Sequence, residues 1–250
     1  MMETEPDRAL WITWYDLPDD DKTEHLEWLH GAYIPQVLAR PGVLWAAHYV
    51  SEENVQRMGR RVVHWATRDE VPDGYRYILM FGAEDVAPFV HPTPRSFHAG
   101  LSAKERDLLA MRRGERSNIM VEEGRVYGPA GRDGAHKLAP GPCIQLGSFN
   151  ATSYEHEDDV AEWYAACRLP SVRSLPGCIR TRKLVSVSGW AKHAALYEFT
   201  SLAARNEQFV GYERPYPEME AWSVRVVPNL VHAPNSSNVA QRIWPPNGSL

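Results

Sequence analysis

The chain has 250 residues, 44% of them hydrophobic and 24% charged, an ordinary globular composition with room for one large domain or two small ones. A net charge of -5 with scattered basic residues excludes the basic stripe of a nucleic-acid binder, and three cysteines exclude a disulfide framework. No apolar run approaches the roughly 18 residues of a membrane-spanning helix, and the acidic start Met1–Asp7 lacks the apolar core of a signal peptide, so a cytoplasmic home is expected.

In chain order, Ala9–Tyr15 is an apolar stretch that reads as a strand. Asp19, Asp20 and Asp21 then suit the positive end of a helix dipole, and Leu26, Leu29, His30, Tyr33 and Val37 recur at helical spacing on one face. Pro41-Gly42 ends that helix and turns the chain into a strand at Val43–Val50. Ser51–Gly74 reads as an insertion, with an extra strand expected over Arg61–Ala66. A strand at Tyr75–Phe81, a weaker helix at Ala103–Arg113 and a strand at Asn118–Val121 complete the first half. Glu122–Gly141, rich in glycine, reads as a connector. The second half repeats the plan, with apolar stretches Cys143–Phe149, Ile179–Val187, Ala194–Phe199 and Trp222–Val227, and a weaker helix at Leu202–Gln208. The polar tail Val231–Leu250 is expected to be an extended arm pinned by Trp244.

The two halves are copies. Glu27, Trp28, Pro35, Val37, Pro41 and Gly42 recur as Glu162, Trp163, Pro170, Val172, Pro176 and Gly177, each 135 positions later. The expected fold class is therefore α+β, with two ferredoxin-like β-α-β-β-α-β modules packed sheet to sheet in one chain. The expected divisions are residues 1–127, with the insertion at 51–74, then 142–230, then the arm at 231–250.

On the Trp28–Gly42 and Trp163–Gly177 segments, the chain resembles the dimeric α+β barrel superfamily in a fused two-module form. EthD-like members carry an aromatic residue, a His and a Pro in this helix; here Trp28 and Pro35 match, while Tyr33 and Arg168 stand where the His is found. The resemblance implies a ligand between the sheet and the helices of one module. It spans cofactor-free monooxygenases, isomerases, dehydratases, cyclases and haem proteins, so fold constrains reaction type weakly.

Chemistry must be sought in single residues. His30 and Tyr33 share the helix face turned to the sheet, and their counterparts are Ala165 and Arg168, which points to one active module. A His beside a Tyr offers a proton carrier and an oxyanion donor. His48, whose counterpart is Lys183, sits on the second strand with Leu44 and Ala46 on its face and Trp45 and Tyr49 on the other. Which face meets the helices is open at this level. His30, Tyr33 and His48 are the candidate catalytic residues; Trp45, His64, Phe89, His98 and Arg168 are the candidate substrate-binding ones. Metal-binding motifs are lacking, as are a dinucleotide-binding turn and a Ser-nucleophile elbow. The expectation is a cofactor-independent enzyme that moves protons on a small aromatic or polyketide-like molecule, as a lyase, dehydratase or isomerase. Alternatives are a cofactor-free monooxygenase, a haem protein built on an axial His, and a non-catalytic ligand-binding protein. A homodimer is a further expectation.

Overall fold

The computed structural model describes residues 7–53, 63–132, 140–213 and 216–246. In the first module β1 (Ala9–Asp16) leads into α1 (Lys22–Trp28), which runs through a wide π-helical turn (Leu29–Tyr33) into α2 (Ile34–Leu38). There follow β2 (Val43–Ser51), β3 (His64–Trp65), β4 (Tyr77–Ala83), α3 (Ala87–Val90), α4 (Pro94–Ala99), α5 (Ala103–Ala110) and β5 (Arg113–Tyr127). The second module has β6 (Cys143–Ala151), α6 (Glu155–Glu162), another π-helical turn (Trp163–Arg168), α7 (Leu169–Ser171), β7 (Cys178–Ser188) and β8 (His193–Phe199). It ends with α8 (Leu202–Ala204), α9 (Pro217–Val226), β9 (Leu230–His232) and β10 (Asn238–Trp244).

Eight strands close into a barrel in the order β10-β2-β4-β1-β5-β7-β8-β6, with β6 pairing back to β10. The two four-stranded sheets thus face each other and join at both edges, through β5 with β7 and β10 with β2. Closure leaves these strands without the unpaired edges that invite aggregation. Alternation along each strand sorts the residues. Leu10, Ile12 and Trp14 of β1 pack inside the barrel with Trp45, Ala47 and Tyr49 of β2, and Leu146, Leu184 and Leu196 join them from the second module. Ala9, Trp11 and Tyr15 point the other way, onto the first module's helices. A separate core lies under the helices of the second module. Burying each large side chain of this kind stabilises the fold by roughly 1.5–3 kcal/mol.

Both Pro-Gly turns need their glycine. Gly42 has φ +85°, Gly177 has φ +73°, and an added Cβ would stand 2.9 Å from Pro88 and 2.6 Å from Ala204 respectively.

One mouth of the barrel is plugged by charge. Asp7 accepts hydrogen bonds from Arg125, Arg182 and the Trp45 indole, each at 2.9 Å, and Glu198 pairs with Arg180 at 2.7 Å and with Arg182 at 3.1 Å. Burial alone would raise the Asp7 pKa, but the guanidiniums of Arg182, Arg180 and Arg125 outweigh it and hold the carboxyl below its usual range.

Three expectations change. Trp222–Val227 is helical rather than a strand over residues 222–226: Pro217 opens α9, Glu218 and Glu220 sit in its first turn, and Val226 is buried while Val224 is exposed. A short apolar run does not distinguish the two states. The last strand of the second module comes instead from the stretch read as an arm, since β10 pairs with both β6 and β2. The connector is shorter than expected, because β5 continues to Tyr127. The extra strand in the insertion is present at His64–Trp65, parallel to β9, while residues 61 and 62 lie outside the described residues.

Candidate functional site

The strongest constellation lies between the sheet and the helices of the first module. His48 is fully buried on the helix-facing side of β2, and both of its ring nitrogens are engaged. Nε2 lies 2.8 Å from the Tyr15 hydroxyl, and Nδ1 lies 2.9 Å from His30 Nε2. Tyr15 reaches it from β1 because odd positions of that strand face the helices, and His30 reaches it from the π-helical turn. His30 is half-buried, and the Trp244 ring stacks over it at 6.0 Å and 21°. Tyr77 stacks on the far side of His48 at 5.4 Å.

A neutral imidazole has one donor and one acceptor nitrogen. If the Tyr15 hydroxyl donates to His48 Nε2, then His48 Nδ1–H donates to His30 Nε2, and His30 carries its own proton on Nδ1. That polarity satisfies the buried Tyr15 hydroxyl as donor. Burial pushes the pKa of His48 well down, and the neighbouring His30 and Arg112 add to the effect. Burial lowers that of His30 as well. Both rings are thus held neutral near pH 7.

A second pair stands beside this chain. The Tyr33 hydroxyl lies 2.7 Å from His98 Nε2, and burial with the nearby Arg112 pushes His98 down to about 4. Arg112 lies between the two tyrosines, its guanidinium carbon 4.4 Å from the Tyr15 ring centre and 5.4 Å from that of Tyr33. His25 donates Nδ1–H to the Leu108 carbonyl at 2.9 Å, and burial holds its pKa at about 4.

The structure therefore brings together His30, His48, Tyr33 and His98 of the expected residues. Phe89 is fully buried and packs edge-on against Trp11 at 6.0 Å, as a wall of the same core. Trp45 is on the opposite face of β2, inside the barrel and bonded to Asp7, so it does not meet His30. His64 is exposed on β3. Arg168 belongs to the second module, where it donates to the Tyr197 hydroxyl at 2.8 Å and is ion-paired with Glu213. Tyr15, His25, Arg112 and Trp244 were not among the expected residues. Strand parity from Trp11 carries a signal for Tyr15; the others join the site from segments remote in sequence.

The second module shows what the same frame does with other side chains. Lys183, at the His48 position, is buried and bonded to Glu123 and to His193 Nδ1, both at 2.8 Å, and His193 Nε2 lies 2.8 Å from Glu157. A cavity of about 90 Å³ remains there, lined by Phe149, Trp163, Tyr164, Arg168, Tyr197 and His232 among others. Among the described residues, no cluster of three or more His, Cys, Asp or Glu is arranged to hold a metal ion, and no helix is long and apolar enough to cross a membrane.

No protein-family profile matches the sequence, and no curated protein matches it. Solved structures do match in shape. An anthrone oxidase-like protein is similar over 96% of this chain and 92% of its own, with a TM-score of 0.58 and 13% identity. A dye-decolorizing protein from V. cholerae is similar over 96% and 95%, with a TM-score of 0.52 and 11% identity. A proposed chlorite dismutase is similar over 95% of both chains, with a TM-score of 0.52 and 12% identity. Identities this low speak to fold alone, and with the closed barrel they place the chain in the dimeric α+β barrel fold, as two ferredoxin-like modules fused in tandem.

Proposed function

We propose that the protein is an enzyme that moves a proton on a small aromatic or polyketide-like molecule in its first module, in lyase, dehydratase or isomerase chemistry. The observation that supports this is the unbroken chain from Tyr15 through His48 to His30, running from the core to a half-buried imidazole. His48 fixes the tautomer of His30, so that His30 presents one N–H outward. A substrate oxygen accepts that hydrogen bond as negative charge develops on it. When His30 gives up the proton, its Nε2 takes one from His48 Nδ1, and His48 Nε2 takes one from Tyr15. The reverse shift starts when His30 Nδ1 takes a proton from another atom of the substrate, and it ends with the Tyr15 hydroxyl restored. Positioned general acid–base groups of this kind contribute about 10²–10⁴-fold in rate.

The test is hydrogen–deuterium exchange. A panel of enolisable aromatic ketones in D₂O is followed by NMR with wild-type protein, His30→Gln and His48→Gln. Wild-type protein should exchange the acidic carbon-bound hydrogen of at least one compound, and His30→Gln should lose most of that rate. Equal rates in both would defeat the reading.

The superfamily's haem-binding alternative rests on His232, whose two ring nitrogens have no hydrogen-bond partner and which lines the second module's cavity. At His232 the space is too small for haem. The cavity of about 90 Å³ is well short of the roughly 300–1,000 Å³ of cofactor pockets. A Soret band in the purified protein would overturn this and displace the proton-transfer reading.

A further inference from the structure

We propose that the first module recognises a carboxylate on a planar, single-ring aromatic compound, and that Arg112 is the residue that binds it; this rests on the first module being the active one. The Arg112 side chain is 0% exposed, yet Nε, Nη1 and Nη2 all lack a hydrogen bond of ordinary geometry. The nearest carboxylate is that of Glu115, 3.7 Å from Nη1 and part-exposed. The Tyr33 hydroxyl is shared between His98 and Arg112, and that of Tyr15 is bonded to His48, so one phenol oxygen and a carboxylate beyond hydrogen-bond distance are what the cation meets. A buried cation this poorly paired is costly.

Geometry states what is missing. The rings of Tyr15 and Tyr33 cover Arg112, so the unmet groups are the in-plane N–H donors of the guanidinium edge. That edge matches the two oxygens of a carboxylate, at charge-assisted distances. A further buried group nearby, His25 Nε2, lacks a partner. With its Nδ1–H committed to Leu108, His25 offers a lone pair at Nε2, which suits a ligand hydroxyl. The rings run continuously around the guanidinium, Tyr15 to His25 at 5.8 Å, His25 to Trp28 at 5.5 Å and Trp28 to Tyr33 at 5.2 Å. Flat aromatic walls select a flat ligand.

Two other arginines sharpen the assignment. Arg168, at the repeat position of Tyr33, already has Tyr197 and Glu213. Arg116 also lacks acceptors, but it stacks on Trp14 at 3.8 Å, on the face of β1 that lines the barrel interior, away from the His30 chain. An open groove of about 570 Å³ is lined in part by Leu108, Met111 and Arg113, the residues on either side of Arg112 in sequence.

Benzoate and its uncharged analogue benzamide test this by isothermal titration on the full chain. Wild-type protein should bind benzoate at least tenfold more tightly than benzamide, and benzoate should raise its melting temperature. Arg112→Gln should lose the preference, and Arg112→Lys, which keeps the charge without the fork, should retain part of it. Equal binding of the two probes by wild-type protein would overturn the proposal without any variant, and so would undiminished benzoate binding by folded Arg112→Gln. The proton-transfer reading fails separately, through unchanged deuterium exchange in His30→Gln while benzoate still binds.

Discussion

The two modules share a backbone plan and differ in how they handle buried polarity. In the first, helix and sheet enclose neutral imidazoles and phenols linked by single hydrogen bonds, with the Arg112 cation 3.7 Å from its nearest carboxylate. In the second, the corresponding positions are closed by charge: Lys183 with Glu123, His193 with Glu157, and Arg168 with Glu213. A neutral hydrogen-bonded chain can change its protonation at modest cost, whereas a paired network resists change because each partner would be stranded. Duplication thus supplied one module to carry polar groups with spare valence and another to hold the barrel.

The sharpest way to break this comparison is to unpair the second module. Arg168→Met leaves Glu213 buried without its cation and should cost about 3–5 kcal/mol in urea unfolding. Arg112→Met in the first module should cost far less or raise stability. Equal losses would show that the modules do not differ in this way. Next in size is catalysis: His30→Gln should lower exchange by about 10²-fold or more, while Ala165→His, the matching change in the second module, should add none. A rise in rate with Ala165→His would mean that the frame, not its side chains, sets the chemistry.

Acid acts more gently, and on both modules, since burial also holds His232 of the second down to about 4. Burial holds His25 and His98 neutral in the folded state, with pKa near 4 against an ordinary 6.5. The unfolded chain therefore binds more protons between those values, so their contribution is intact above about pH 6.5 and is lost as pH falls toward 4. Melting temperature should drop over that window, and the slope should lessen in a His25→Gln, His98→Gln double variant. An unchanged slope would place the acid sensitivity elsewhere. The smallest effect is expected for Trp244→Ala, which uncovers His30. Its imidazole pKa, followed by NMR, should move up toward 6.5; a value that stays put would mean that Trp244 does not shield it.

Much of the fold was legible because the repeat is a long-range signal written locally. A shared register of Trp, Pro and Pro-Gly marks two equal modules, and strand alternation then assigns faces. Trp222–Val227 misled because Trp222, Val224 and Val226 alternate with Ser223 and Arg225 as in a strand, and β10 was hidden because its partners are far away: Ala240 pairs with Ser51 and with Ile144. The site divided in the same way. His30 and His48 stood out by helical face and by contrast with Ala165 and Lys183. Arg112, with Arg113 and Arg116, reads in the sequence chiefly as a cation suited to a helix C-terminus, with a substrate carboxylate clamp as the sharper alternative. Only the fold shows that this cation has turned inward.

The closing strand has a bearing on synthesis. Because β10 is the final element of the barrel and joins β2 to β6, the first module leaves the ribosome with the edges of β2 and β5 uncovered; β5 is paired once β7 has emerged, whereas β2 must wait for β10. Nascent intermediates with open edges are the ones that chaperones meet. The same strand brings Trp244 to His30, so that imidazole gains its cover only once β10 has emerged, and a product truncated before Asn238 would lack both the seam and the cover.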